Sequence, residues 1–241
     1  MIPKIIHYCW FGGADMPPLA KECVSSWKRH LPDYELIKWD ESNAPRNCFT
    51  EYHLEKGNWA FVSDYVRLHA LYECGGVYLD TDVEVIKSLD TLLDNNGFVA
   101  YEEEDRVNNA VAGSVRGNIF FKDCMSYMTN RFEQGDNYHI SPVVTTKVLN
   151  TTDYDVTIFD SDYFYPYNPY DVSNDIKIFM YHMIKQDTYA IHHWAKSWDG
   201  NQIINTDNSQ EYSRTGLCTY VIKVCSSLSR KLKVVAKILG I

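Results

Sequence analysis

The chain has 241 residues, 45% of them hydrophobic and 23% charged, enough for one sizeable α/β domain and too few for two full ones. Its net charge of −9 is unevenly placed: from Arg214 onward there are six basic residues and no acid, so residues 1–213 hold 17 basic against 32 acidic groups. An acidic body argues against general nucleic-acid binding, which relies on basic faces, and seven scattered cysteines without a Cys-x-x-Cys spacing read as reduced thiols in a cytosolic protein.

The opening Lys4-Ile5-Ile6-His7-Tyr8-Cys9-Trp10, followed by Phe11-Gly12-Gly13, predicts a buried first strand that ends in a loop, and it is too short and too soon interrupted to be a signal peptide. Nucleotides in open α/β sheets bind just past the carboxyl ends of strands. Trp10 and the backbone near Phe11 and Gly12 are therefore candidates for base and ribose, with core packing of Trp10 as the alternative. No Gly-x-Gly-x-x-Gly or Walker-type loop occurs, so dinucleotide and kinase-type cradles are unsupported.

Pro17-Pro18 opens a helix through about His30 with an apolar stripe of Leu19, Cys23, Val24 and Trp27. Tyr34 to Trp39 reads as a second strand, and the polar stretch from Asp40 to Asn58 as loop with at most a helical turn. From about Trp59 a further helix carries Val66, Leu68, Leu71 and Tyr72 at roughly helical spacing, and Gly75-Gly76 supplies its left-handed stop. Asp64 and Arg67, at i and i+3 on this helix, lie within pairing distance. The chain then turns into Val77-Tyr78-Leu79 and reaches Asp80-Thr81-Asp82. In an extended segment residues i and i+2 share a face, so two carboxylates point the same way, and a divalent cation with a phosphate-bearing substrate is the economical way to neutralise them.

Ser63-Asp64-Tyr65-Val66-Arg67 followed by Gly75-Gly76-Val77-Tyr78-Leu79-Asp80-Thr81-Asp82 resembles the core of the glycosyltransferases with the DXD sugar-binding motif. That family, number 32, includes yeast initiating α-1,6-mannosyltransferases, α-1,4-galactosyltransferases and many bacterial capsule and polysaccharide transferases. The resemblance implies a GT-A-type, Rossmann-like α/β fold, a mixed sheet flanked by helices, with a catalytic domain over 1–198. It also implies metal-dependent, retaining transfer of a hexose from a nucleotide-diphosphate sugar, UDP favoured over GDP, to an oligosaccharide or lipid-linked saccharide, with Mn²⁺ or Mg²⁺ as cofactor. By the same resemblance Asp64 and Arg67 touch the donor sugar and its phosphate side, Arg67 offsets charge on the leaving group, and the Ile-Pro-Lys-Ile-Ile-His opening with its aromatic Tyr8 starts the nucleotide site.

Beyond the aspartates, Val83 to Ile86 continues as a strand, Leu89 to Leu93 is a helical turn, Phe98 to Tyr101 a strand, and Glu102 to Asp105 begins a loop. Asn108-Asn109-Ala110 resembles the family's Asn-Ala segment, which makes Asn109 a candidate polar group near the reacting sugar; a turn asparagine is the alternative. Asn118 to Gln134 and Ser141 to Leu149 read as helices, the second with serine where relatives carry glycine before the proline. Val156 to Phe159 is a strand, and Tyr163 to Tyr170 an aromatic loop suited to an acceptor.

Tyr189-Ala190-Ile191-His192-His193-Trp194 predicts a strand ending in paired histidines. By analogy with fold-mates His193 joins Asp82 and Asp80 as metal ligand, and Trp198 donates to the β-phosphate. Residues 199–215 read as a linker. Residues 216–241 read as a basic amphipathic helix, with Val221, Val224, Leu228, Leu232, Val235 and Leu239 on one side, suited to the inner face of an anionic membrane or to docking on protein, with oligomerisation open. The competing functions are a nucleotide-sugar hydrolase and a non-catalytic sugar-nucleotide binding protein.

Overall fold

A computed structural model describes residues 1–169 and 180–195. The expectations for Trp198, for the 199–215 linker and for the helix over 216–241 lie outside the described residues. Among the described residues no helix is long and apolar enough to cross a membrane.

The centre is a six-stranded mixed sheet in the order β2-β1-β3-β6-β5-β7. Its strands are β1 (Ile5–Cys9), β2 (Glu35–Trp39), β3 (Gly76–Leu79), β5 (Gly97–Glu103), β6 (Arg106–Ser114) and β7 (Thr157–Phe159). β1 pairs in parallel with β2 and β3, and β5 in parallel with β7, whereas β6 runs antiparallel to both β3 and β5. Only β6 is reversed. Two short strands, β4 (Val83–Val85) and β8 (Ala190–His192), form a separate antiparallel ribbon.

β3 lies between β1 and β6 and has all four residues buried, which is why Val77-Tyr78-Leu79 is a continuous apolar run rather than an alternating one. Apolar clusters cover the two faces of the sheet. One face carries α3 (Trp59–Glu73), α4 (Ile119–Glu133) and α5 (Ser141–Leu149); the other carries α1 (Pro18–His30) with the β4–β8 ribbon. Trp27 of α1 is fully buried, and its indole N–H donates to the Val83 carbonyl at 2.7 Å. Truncating a side chain of this size in a core costs about 3–5 kcal/mol, so α1 fixes where β4 begins and hence where the preceding turn must close.

Three local expectations change. The buried positions of α1 are Ala20, Cys23, Ser26 and Trp27, and Leu19 is exposed, because the helix meets β4 along a stripe rotated from the one the apolar residues suggest. The stretch expected as loop holds α2 (Cys48–Lys56), started by a reciprocal capping box between Asn47 and Thr50 and stopped by Gly57 at φ +70°. That cap satisfies two orphan helix donors, a signal the sparse apolar content of the stretch hides. β5 runs on through Glu102 to Glu103, so the supposed acidic loop is a tight hairpin into β6. Gly75, at φ +69°, is the left-handed stop after α3 as expected.

Candidate functional site

The parallel arrangement of β1 and β3 brings their carboxyl ends together. Beyond Leu79 the chain turns: the Asp80 amide donates to the Ala110 carbonyl at 2.8 Å, and the Val83 amide closes back onto the Asp80 carbonyl at 3.0 Å. Asp80 and Asp82 therefore sit in a tight turn and not on the extended strand end expected from their spacing, yet their carboxylates still converge.

Arg67 organises one side. It is 6% exposed, lies at 4.7 Å over the Tyr78 ring, and grips Asp80 with two nitrogens, Nη2 to Oδ1 at 3.1 Å and Nη1 to Oδ2 at 3.2 Å. The same guanidinium reaches Asp64 Oδ1 at 3.0 Å and Asn109 Oδ1 at 3.2 Å. Asp64 and Arg67 are thus a buried, networked pair and not a surface bridge. With these acceptors occupied, the guanidinium orients Asp80. Planar, fork-like donors make such bidentate clamping specific to arginine.

Asp64 is buried and also accepts from the Tyr138 hydroxyl. Burial pushes its carboxyl up to about 6, while Arg67, Tyr138 and the Ser141 amide pull the other way. Asn109 lies in β6, not in a turn; its Oδ1 accepts from the Ser141 hydroxyl at 2.5 Å and its Nδ2 donates to Thr145 Oγ1 at 2.9 Å. Ser141 thus caps the network from the first turn of α5.

His192 organises the other side. Its Nε2 lies 3.3 Å from Asp82 Oδ1, and the Ala195 amide donates to Asp82 Oδ2 at 2.8 Å. Burial works against ionised Asp82, but the His192 charge and hydrogen bond outweigh it and hold the carboxyl at about 2. Burial likewise works against protonated His192, and Asp82, Asp80 and Glu102 together raise its pKa above 6.5. His193, expected beside the aspartates, turns instead to Glu84, with Nε2 to Oε2 at 2.9 Å. Successive strand residues project to opposite faces, and the Val83↔His192 register of β4 with β8 decides which imidazole meets Asp82. Trp194 follows at φ +54°, a strained region for a bulky residue, with its indole N–H on the Tyr167 carbonyl and its ring 4.3 Å from that of His192.

Ligand atoms of Asp80, Asp82 and His192 all lie within 4.8 Å of one another. Two bonds of about 2.1–2.3 Å across one ion span slightly less than that, so small side-chain rotations close the set on a single hard cation. Oxygen donors with one imidazole suit Mn²⁺ or Mg²⁺.

The expected nucleotide residues lie at and just past the end of β1. Cys9, at the end of β1, lies among Arg67, Tyr78, Asp80 and Ser63, its thiol pushed up to about 12 by burial. Tyr8 packs edge-on against Trp27, Trp10 donates to the Ala14 carbonyl at 2.6 Å, and Phe11 is buried and stacked on Trp59. Gly12, at φ +87°, passes so close to Trp59 that a Cβ would stand 2.7 Å from the indole nitrogen, and its amide donates to Glu41 Oε1 at 2.5 Å. Trp59, Glu41 and Tyr138 carry no motif of their own; only the fold places them here.

Residues 17–99 match the family model described as "Glycosyltransferase sugar-binding region containing DXD motif". Inositol phosphoceramide mannosyltransferase 3 of Schizosaccharomyces pombe is 29% identical over 147 residues, 57% of this chain and 39% of that protein. Mannosyl phosphorylinositol ceramide synthase SUR1 of Saccharomyces cerevisiae is 30% identical over 151 residues, covering 60% and 38% respectively. The chain therefore spans about two fifths of the length of these two relatives. An uncharacterized glycosyltransferase, L373, of Acanthamoeba polyphaga mimivirus is 28% identical over 72% of this chain and 77% of its own. Among solved structures, PaToxG glycosyltransferase superposes with a TM-score of 0.52 at 17% identity over 61% of this chain and 69% of its own, which shows a shared GT-A fold.

Proposed function

We propose that this chain, whose residues 17–99 belong to the glycosyltransferase sugar-binding regions with a DXD motif, transfers a hexose from a nucleoside-diphosphate sugar to a saccharide or glycolipid acceptor. One observation carries the reading: Asp80 and Asp82 at the β3–β4 turn and His192 from far downstream converge within 4.8 Å. The names of the two yeast relatives favour mannose as the sugar and an inositol-phosphate lipid as acceptor. A lipid acceptor also suits the basic amphipathic helix expected over 217–241, at the cytoplasmic face of a membrane.

A divalent cation held by Asp80, Asp82 and His192 would supply the positive charge that stabilises the departing diphosphate. The chain's own part is to preset the geometry. Arg67 fixes both oxygens of Asp80, so that carboxylate cannot swing. Asp82 is held by His192 and the Ala195 amide. Asp64, backed by Tyr138, and Asn109, backed by Ser141 and Thr145, hold Arg67 from the α3–α5 side. Preset dipoles and charges of this kind need little rearrangement during reaction.

The test has two parts. Isothermal titration of the full chain with Mn²⁺ and UDP- or GDP-hexoses should find one donor that binds only with metal, and product analysis with an acceptor should show transfer, with retention of the anomeric configuration. Asp82→Asn and His192→Gln should each lower turnover by at least 100-fold, whereas His193→Gln should leave it within about threefold; loss in His193→Gln alone would refute the metal set.

A further inference from the structure

Within that metal reading, a buried carboxylate has no role so far. Glu102, on β5, is 3% exposed, and its Oε2 accepts from Asn108 Nδ2 at 2.6 Å. Its other oxygen accepts no hydrogen bond; the Nη1 of Arg106 stands off at 3.7 Å. A second buried polar atom is also without a hydrogen-bond partner among the described residues: Nδ1 of His192. The two groups act on each other electrostatically, each favouring the other's charged form. Both belong to the same wall of the site. Tyr165 packs edge-on against the His192 ring at 5.7 Å with its hydroxyl accepting from the Val111 amide, and Asn168 donates to the Glu102 carbonyl at 3.3 Å.

Buried polar atoms are rarely left unmade, because each costs about 1–3 kcal/mol, and ordered water is the usual remedy in a polar pocket. We propose that Glu102 is a positioning residue for His192: through one buried water its Oε1 accepts the Nδ1 proton, which aims Nε2 at Asp80 and Asp82, donating to Asp82 until a cation takes that proton's place. Imidazoles that ligate metals are commonly held this way by a carboxylate behind the ring, and losing it typically weakens metal binding 10- to 100-fold. Burial pushes the Glu102 carboxyl up to about 7, and Arg106, paired to Glu103 at 3.0 Å as well, pulls it the other way.

Glu102→Gln tests this sharply. Asn108 Nδ2 is a donor, so the new amide must keep its oxygen toward Asn108 and turn its NH₂ toward the water. The water then donates to Nδ1, so Nε2 keeps the ring's proton and cannot ligate. Wild-type crystals at high resolution should show one ordered water within hydrogen-bond distance of both Glu102 Oε1 and His192 Nδ1. Mn²⁺ affinity measured without donor should fall at least tenfold in Glu102→Gln and stay within twofold in Glu103→Gln. No such water in wild type overturns the proposal with no variant required, and so does a Mn²⁺ affinity unchanged in Glu102→Gln. If the water is present but wild type binds no Mn²⁺, the metal reading fails and the positioning role stands.

Discussion

Replacing Arg67 with Met removes the one cation shared by Asp64 and Asp80. The two bonds to Asp80, at 3.1 and 3.2 Å, and the one to Asp64, at 3.0 Å, vanish together, and methionine fills much of the volume. Breaking a buried pair by deleting one partner costs about 3–5 kcal/mol, a large share of the 5–15 kcal/mol that holds a typical domain. The loss should depend on pH in a definite sense. Asp64 is pushed up to about 6 by burial, with Arg67 pulling down; without Arg67 the carboxyl rises further. A carboxyl whose folded pKa is raised binds more protons folded than unfolded, so stability falls as pH climbs through that window. The variant's window extends higher. The variant therefore loses more at pH 8 than at pH 5.5, by about 1.4 kcal/mol for each unit by which its Asp64 rises. Urea unfolding followed by tryptophan fluorescence at the two pH values measures this. An equal loss at both, or a smaller one at pH 8, would refute the claim that Arg67 exists to neutralise these carboxylates.

Gly113→Ala should destabilise the fold by about 1–3 kcal/mol, read as a lower urea midpoint, because the new methyl would meet Phe98 Cε1 at 2.1 Å in the packed β5–β6 pair. His53 is buried among aromatic rings and held down to about 4 by burial; the unfolded chain therefore takes up its proton first as pH falls below 6.5. Between pH 7 and 5 this should remove about 2 kcal/mol of stability, and the pH slope of His53→Gln should be shallower than wild type by that amount. Mn²⁺ affinity should rise with pH above 6.5, since the raised pKa of His192 means metal must displace its proton; a flat profile in titration calorimetry would remove His192 from the ligand set.

The helices and strands around the Asp-x-Asp motif were legible because each obeys a local rule. Gly75 stops α3, Pro18 starts α1, and the apolar run Val77–Leu79 marks a strand covered on both faces. α2 was missed because its signal is a cap, Asn47 with Thr50, rather than an apolar period. The choice between His192 and His193 was not legible at all. It depends on the register of β8 against β4, two three-residue strands more than a hundred positions apart, and a shift of one residue swaps every side chain to the other face. The number of acceptors Arg67 serves was not legible, since it depends on β6, α3 and the turn meeting at one point.

The two aspartates of the motif are chemically alike and end up in different electrical circumstances. Each has a cation of its own, which is why two acids in one turn do not repel the fold apart. Asp80 is matched to Arg67, whose charge is permanent at any physiological pH, so that carboxylate is fixed in place and already neutralised when a ligand arrives. Asp82 is matched to His192, the one partner that can give its charge up. A cation entering the cluster therefore competes with a proton on the His192 side and shares Asp80 with a fixed guanidinium on the Arg67 side. Exchange of a proton for a metal keeps Asp82 paired throughout, whereas a lysine or arginine in place of His192 would hold Asp82 just as well and leave no nitrogen to bind with. The site's demand for histidine at that position follows from charge balance, before any substrate is considered.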